Sequence, residues 1–369
     1  MKILITGSRG FIGRNLLAEL KNRGYTEIFQ FDRDTDLSLL YKYCKEVDFV
    51  FHLAGVNRPI DQSEFIKGNV EFTSTLLNAL KASCNRCPVM ISSSVQAELN
   101  NSYGESKRAG EHLLFDYNKE TGSRVLIYRL PNVFGKWSKP NYNSAIATFC
   151  HNIARDLPVE VKDPDKQIKL VYIDDVINEL LNSLEGKENK VNQYCEVATV
   201  HSATLGDIVN LISTFRRGRL DNTVPNMSDE FTRKLYSTYL SFLPEDQFSY
   251  DLKMNEDFRG SFTEFIKTPD RGQISINISK PGITKGNHWH HTKHEKFLVV
   301  SGEGLVQFRK IDSEVVLEYF VSGEELKVLD IPAGYVHNIM NIGNKDLVTI
   351  MWANEIYNPN NTDTYFMEV

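Results

Sequence analysis

At 369 residues the chain is longer than one typical domain, and two are expected. Its composition, 41% apolar and 24% charged, is that of a globular protein able to build real cores. A formal charge of −6 leaves no basic footprint for nucleic acid, and no apolar run approaches a membrane span.

The N-terminal run Lys2–Thr6 is too short for a signal-peptide core and leads directly into glycines, so it reads as a structural strand. A helical pattern follows from Phe11 to Leu20, then a second strand, Glu27–Phe31, ending at Asp32. Val47–Leu53, Val89–Ser92 and Val125–Leu130 are further apolar strands, with helical patterns such as Asn69–Ala82 and Ser106–Lys119 between them. Strands alternating with helices predict an α/β fold, a Rossmann-type doubly wound parallel sheet covered on both faces.

The pattern changes after Leu243. Pro244–Asp251 is polar and reads as a linker, dividing the chain into domains 1–246 and 247–369. Beyond it Ile274, Ile276 and Ile278 alternate with Gln273, Ser275, Asn277 and Ser279. Short strands then recur between Gly and Pro turns, which predicts an all-β barrel or sandwich. The five cysteines are odd in number and scattered, which predicts free thiols in a reducing, cytoplasmic setting. Cys84-x-x-Cys87 has no second pair to complete a metal site.

Gly7-Ser8-Arg9-Gly10-Phe11-Ile12-Gly13 lies between the first strand and the first helix. Its glycines permit a tight turn and let backbone amides approach a pyrophosphate at the positive end of the helix. Asp32 ends the next strand 19 residues after Gly13, where a ribose contact is expected. Together these predict a nicotinamide dinucleotide site. Asp32 alone would repel a 2′-phosphate, but Arg9 and Arg33 place two guanidiniums nearby, and we expect NADP(H).

The G-x-x-G-x-x-G spacing resembles the extended short-chain dehydrogenase/reductase family over roughly residues 1–240. His52-Leu53-Ala54-Gly55 is similar to its strand-end motif lining the adenosine side, and Asn69-Val70 with Thr73 and Leu76-Leu77 to its helix signature. Arg129–Gly135 and Tyr172–Val176 resemble the segments that shape the nucleotide-sugar pocket. One departure is Val95-Gln96-Ala97, where many sugar epimerases carry Val-Tyr-Gly.

Tyr103-Gly104-Glu105-Ser106-Lys107 is a Y-x-x-x-K match. On a helix the spacing stacks the ammonium beneath the phenol, and a nearby cation is expected to lower the tyrosine pKa and make it an acid/base. Tyr41 and Lys45 repeat the motif, but between early elements, where a surface pair is the sensible reading. The family resemblance makes Ser94, in the run Ser92-Ser93-Ser94, the hydrogen-bond donor to a substrate carbonyl. It makes Tyr103 the proton donor and Lys107 the ribose ligand.

Four histidines crowd into seven residues: His288, His290, His291 and His294. Gly282-x5-His288-x-His290-x4-Glu295-x6-Gly302 resembles the first cupin motif. Pro332-x-Gly334-x2-His337-x3-Asn341 resembles most of the second, whose leading Gly is replaced by Leu326. The C-terminal domain is therefore expected to be an all-β cupin barrel. His288, His290, Glu295 and His337 would converge on a divalent metal, with Zn the first choice because it needs no redox role. An apo barrel and a purely structural metal remain alternatives. His291 and His294 are open between bases, supporting donors and surface residues.

A ketone makes its neighbouring C–H acidic, and a Lewis-acid metal stabilises the enediolate formed on proton loss. Reprotonation on the other face is epimerisation, and hydride delivery to the same ketone would fix its configuration. This domain order and length resemble the CapF-type family of capsular polysaccharide biosynthesis enzymes. The resemblance implies a homodimer acting on a UDP-linked 4-keto-6-deoxy amino sugar. Its cupin would epimerise C3 of UDP-2-acetamido-2,6-dideoxy-4-hexulose, and its reductase domain would reduce C4 with NADPH to the L-talose derivative, a precursor of UDP-N-acetyl-L-fucosamine. A reductase whose cupin only dimerises or regulates is the alternative, and a non-catalytic dinucleotide sensor is opposed by the Ser94, Tyr103 and Lys107 set. Arg216, Arg217 and Arg219 read as a solvated loop before a phosphate site.

Overall fold

A computed structural model describes all residues, Met1–Val369. The chain forms two compact units: Met1–Ile212 with Lys234–Leu243, and Ser213–Arg233 with Pro244–Val369.

In the first unit β1 (Ile3–Thr6), β2 (Ile28–Phe31), β3 (Phe49–His52), β4 (Val89–Ser94) and β5 (Val125–Leu130) are parallel, in the order β2-β1-β3-β4-β5. β1 and β3 are buried throughout because both sheet faces are covered, so they read as unbroken apolar runs. Alternate residues feed two cores. Ile3, Ile5, Phe49 and Phe51 pack with Leu16 and Leu20 of helix Phe11–Asn22 and Val176 and Leu180 of helix Ile173–Leu184. Leu4, Val50, Val89 and Ile127 pack with Leu76 and Leu80 of helix Phe72–Ala82 and Leu114 of helix Ser102–Thr121. The chain leaves β1 toward β2 on one side and continues through β3 to β5 on the other. Ligand crevices of such sheets lie at that reversal, beyond the strands' carboxyl ends.

The strands β6 (Asn132–Phe134), β7 (Gln167–Tyr172) and β10 (His201–Thr204) make a small second sheet. β8 (Lys190–Val191) and β9 (Tyr194–Cys195) extend the main sheet beyond β5. The helix expected over Asn69–Ala82 begins earlier and irregularly: Ser63–Ile66, a π turn at Lys67–Glu71, then Phe72–Ala82. The π turn carries Asn69, whose side chain holds the Val56 backbone at both its N–H (2.8 Å) and its carbonyl (2.9 Å).

The named strands of the second unit pair antiparallel. Its strands are β11 (Met254–Asp257), β12 (Gly260–Thr268), β13 (Gly272–Ser279), β14 (Thr284–Trp289), β15 (Glu295–Ser301), β16 (Glu303–Lys310), β17 (Val316–Ser322), β18 (Val328–Ile331), β19 (Tyr335–Asn341), β20 (Leu347–Ala353) and β21 (Tyr365–Phe366). They form a six-stranded sheet, β11-β12-β13-β20-β15-β18, and a five-stranded sheet, β17-β16-β19-β14-β21, the cupin-like architecture. Phe297, Val299, Val306, Phe308, Ile331, Ile339 and Leu347 form a core between them. On β13 the buried residues are the polar set, Gln273, Ser275, Asn277 and Ser279, while Ile274, Ile276 and Ile278 are only half-buried. A strand that lines a polar cavity turns its alternation this way.

One segment departs from the division expected at residue 246. Ser213–Arg233 belongs to the second unit because Asn222–Val224 pairs with β12. The Val224 N–H donates to the Lys267 carbonyl (2.9 Å), and the Lys267 N–H to the Asn222 carbonyl (2.8 Å).

Candidate active sites

The glycine loop of the first unit is set by a backbone with φ of 72° at Gly7, which favours glycine. The Gly7 N–H donates to the Phe31 carbonyl (2.8 Å), and its own carbonyl accepts from the Gly10 N–H (3.0 Å). A Cβ at Gly7 would meet the Ala54 nitrogen at 2.7 Å, and one at Gly13 would lie 2.2 Å from the Gly7 carbonyl oxygen. The loop thus folds tightly onto the N-terminus of helix Phe11–Asn22. Gly7, Gly10, Phe11, Ile12, Gly13, Leu53 and Gly55 line a cleft of about 740 Å³, which Ser94, Tyr103 and Lys107 also line. Asp32 accepts from Ser8 Oγ (2.6 Å) and the Arg9 N–H (3.1 Å), and Arg9 Nε stands 3.3 Å from it. The Arg9 guanidinium also pairs with Asp34. Arg33 is 87% exposed at its side chain and approaches Glu64 at 3.7 Å.

The carboxyl end of β4 and the start of helix Ser102–Thr121 bring the three candidate catalytic side chains together. Asn101 caps that helix by accepting from the Gly104 N–H (2.8 Å). Tyr103 then sits in the first turn and Lys107 in the next. Lys107 Nζ donates to the Ser92 carbonyl (3.0 Å) and lies 6.0 Å from the Tyr103 ring centre. Ser94 Oγ accepts from the Gln96 N–H (3.1 Å) and is hydrogen-bonded to Tyr103.

The electrostatics differ from expectation at one point. Burial raises the Tyr103 phenol above its ordinary pKa, and the Ser94 hydrogen bond opposes this. Burial brings Lys107 itself down to about 8, against the pull of Glu111. His52 is buried between Thr6 Oγ1 (2.7 Å) and Thr73 Oγ1 (2.9 Å). Burial and Lys107 push it down to about 3, so it is neutral.

Sequence reasoning missed the support beneath this trio. Glu111, fully buried one turn after Lys107, accepts from Ser93 Oγ (2.5 Å) and from Arg129 through both oxygens (2.9 and 2.6 Å). Asn69 also reaches across to Ser106 Oγ (2.9 Å), so it joins the Val56 loop to the catalytic helix. Cys84 and Cys87 are free.

In the second unit His288, His290, Glu295 and His337 bring their ligand atoms within 4.8 Å of one another. β14 and β19 pair His288 with His337, after a bulge where Gly286 (φ 106°) and Asn287 (φ 56°) twist the strand. Glu295 opens β15 and stands 3.7 Å from His290 Nε2 and 3.4 Å from His337 Nε2. His290 Nδ1 is bonded to the Asp363 carbonyl and His337 Nδ1 to the Tyr335 carbonyl (3.3 Å). Those contacts place the proton on Nδ1 and aim the Nε2 lone pairs inward. Both Nε2 atoms are buried without a hydrogen-bond partner. Burial pushes His288 down to about 4, with His337 and His290 adding to the effect. Burial raises Glu295, but the His290 and His337 imidazoles beside it outweigh that and hold the carboxyl well below its usual range. Two orphaned imidazole nitrogens, a third imidazole and an ionised carboxylate are a donor set that fits a divalent cation.

The cluster lies in a cavity of about 600 Å³. His291 and His294 do not line it. They are exposed, His291 between Trp289 and Tyr365 and His294 beside Trp352. Asp363, some seventy residues away in sequence, was not legible as part of the site. Its carboxylate accepts from the N–H groups of His291, Thr292 and Lys293 (2.9, 2.7 and 2.8 Å), fixing the turn between two of the cluster residues.

Residues 3–197 match the NAD dependent epimerase/dehydratase family, and residues 255–365 match the polysaccharide biosynthesis C-terminal domain. A UDP-2-acetamido-2,6-beta-L-arabino-hexul-4-ose reductase of Pseudomonas aeruginosa is 45% identical, covering 100% of this chain and 99% of its own. The crystal structure of the capsular polysaccharide assembling protein CapF from Staphylococcus aureus matches with a TM-score of 0.95 and 52% identity, covering 100% of both chains. The chain belongs to the CapF family. The first unit of this CapF-family chain also shares its fold with the UDP-glucuronic acid 4-epimerase of Bacillus cereus, at a TM-score of 0.56 and 21% identity over 66% of this chain and 96% of that one. Membership of the epimerase/dehydratase family assigns a nicotinamide cofactor to the chain. No helix is long and apolar enough to cross a membrane.

Proposed function

We propose that the chain is a bifunctional nucleotide-sugar enzyme, in which the barrel epimerises a UDP-linked 4-keto-6-deoxy amino sugar at C3 and the first unit reduces its C4 ketone. The observation that carries this reading is one chain with two complete constellations, Ser94/Tyr103/Lys107 and His288/His290/Glu295/His337. The full-length likeness to a relative named as a UDP-hexulose reductase supports the substrate class.

In the first unit the nicotinamide cofactor supplies hydride when bound. Tyr103 gives its phenolic proton to the ketone oxygen, and Ser94 Oγ, at the end of β4, orients that oxygen. Lys107 holds the cofactor ribose and restores a positive charge beside the phenolate as it forms. Arg9 and Arg33 favour a 2′-phosphate, and NADPH is the reductant of this reading.

In the barrel His288, His290, Glu295 and His337 would hold a divalent ion, Zn by preference, which when bound polarises a carbonyl. The Asp363 and Tyr335 carbonyls hold the His290 and His337 rings with their Nε2 atoms turned toward the cluster. A homodimer belongs to the same reading. β13 turns Ile274, Ile276 and Ile278 outward beside the exposed Ile350 of β20, an apolar strip that suits a second copy.

The test is NADPH oxidation by the purified chain with a UDP-4-keto-6-deoxy-N-acetylhexosamine. Turnover is expected, with loss in Tyr103→Phe. An undiminished rate in that variant would overturn the assignment of the proton donor.

A further inference from the structure

The barrel cavity is lined by four bases, Lys253, Arg259, Lys285 and Lys293, and they are not equivalent. Lys253 is exposed. Arg259 is paired with Asp257 at 2.6 Å. Lys285 Nζ is committed to three acceptors, Asn277 Oδ1 (2.9 Å) and the carbonyls of Ile278 (2.8 Å) and Ser261 (3.3 Å). Lys293 differs from all three. It is only 8% exposed, and its ammonium makes one long hydrogen bond, to Thr364 Oγ1 at 3.3 Å, with no carboxylate within 4.0 Å.

A buried side-chain donor with no paired carboxylate is placed to answer a negative charge that develops in the cavity. The position of this one is over-determined. Its backbone N–H is held by the Asp363 carboxylate, the neighbouring Thr364 takes its Nζ, and the Asp363 carbonyl holds His290. One two-residue segment therefore fixes both a cluster histidine and the cation. Lys293 also lies on the turn between His290 and Glu295, so it enters the cavity from the same piece of chain as two members of the cluster.

We propose that Lys293 is a catalytic residue of the barrel: its ammonium donates to the oxyanion that forms on the ketone oxygen when the neighbouring C–H is lost. The proposal rests on the epimerase reading above. The step is balanced within the sugar and solvent. The C–H electron pair becomes the C=C bond of the enediolate while the carbonyl pair moves to oxygen. The proton passes to solvent, and a solvent proton returns on the opposite face. Lys293 gives a hydrogen bond and exchanges no proton, and no oxidant or reductant is needed. Pre-organised donors of this kind act where charge develops rather than on the resting ketone, so the effect falls on kcat more than on KM.

The experiment follows deuterium uptake next to the ketone of the UDP-4-keto sugar in D2O, using the full chain without NADPH. Metal content and NADPH affinity of every protein are measured alongside. With Lys293→Met we expect exchange to fall about 100- to 1,000-fold in kcat with metal stoichiometry unchanged. Lys293→Arg should recover part of the loss. Exchange at the wild-type rate in Lys293→Met overturns the proposal, and so does a loss that appears only in KM. Absence of exchange in the wild-type protein overturns the epimerase reading itself, a separate outcome.

Discussion

Glu111 accepts from Nε and Nη2 of the Arg129 guanidinium, at 2.9 and 2.6 Å, one helical turn from Lys107. The same carboxylate takes the hydroxyl of Ser93, whose neighbours are Ser92, the acceptor for Lys107, and Ser94, the partner of Tyr103. The pair therefore ties β5, β4 and the catalytic helix together at the level of the trio.

Breaking a buried, bidentate pair leaves one charge unanswered and costs roughly 3–5 kcal/mol. Arg129→Met should lower the first thermal transition accordingly. The double variant Arg129→Met, Glu111→Leu should recover much of that loss, because neither charge is then buried alone. Differential scanning calorimetry of the two proteins checks this. A double variant no more stable than the single one would contradict the account.

Lys107 gives a pH prediction. Its folded pKa of about 8 is below the ordinary lysine value of 10.5 because burial disfavours the ammonium. The groups beside it are Glu111 and Tyr103 on its own helix and His52 on β3. Between about 8 and 10.5 the unfolded chain binds more protons at this residue than the folded one. Its contribution to stability therefore rises with pH through that window. Activity should move the other way. As the ammonium is lost above about pH 8, the alkaline limb of kcat/KM for reduction should fall. Lys107→Met should abolish reduction and remove that part of the rise in stability, measured by denaturant unfolding across the pH series.

Asp363 predicts metal affinity. It orients His290 through its carbonyl and fixes the His291–Lys293 turn through its carboxylate. Burial raises the Asp363 carboxyl, but the N–H groups of Lys293, Thr292 and His291 outweigh that and keep it ionised. Outer-shell partners of this kind are worth roughly 10- to 100-fold in affinity. Asp363→Ala keeps that carbonyl but loses the carboxylate that fixes the turn, and should weaken zinc binding toward the lower end of that range in a chelator competition, with the dinucleotide site unaffected.

Arg9 predicts cofactor choice. It neutralises Asp32 at 3.3 Å and faces the cofactor side of the loop. Arg9→Ala should weaken NADPH about 10-fold or more, the loss of one charge-assisted pair at roughly 1.5–3 kcal/mol, while NADH is little changed. Equal losses for both cofactors would show that Arg9 supports the loop rather than the 2′-phosphate.

Much of this was readable from the sequence because it is local. The Gly7–Gly13 loop, the Tyr103–Lys107 spacing and the His288–Glu295 turn are each short segments whose chemistry is set by neighbours along the chain. What was not readable depends on pairing across the fold. Glu111 reads as an ordinary helix acid until Arg129, 18 residues on, arrives beside it from β5. Asp363 lies near the end of the sequence and gains meaning only where its oxygens meet the His291–Lys293 turn. The Tyr103–Lys107 spacing predicts a lowered phenol, but the burial of Tyr103, which no spacing rule specifies, raises it. His291 and His294 could not be sorted from His288 and His290 by spacing, and burial separates them.

The central claim, that one chain moves a proton at C3 and a hydride to C4 of the same sugar, is most directly tested by NMR of the product formed from the UDP-4-keto-6-deoxy-N-acetylhexosamine with NADPH in D2O. The account predicts a single product with the 6-deoxy-L-talose configuration, deuterium at C3 and protium from NADPH at C4. A reduced sugar that keeps its original C3 configuration and carries no deuterium there would contradict it.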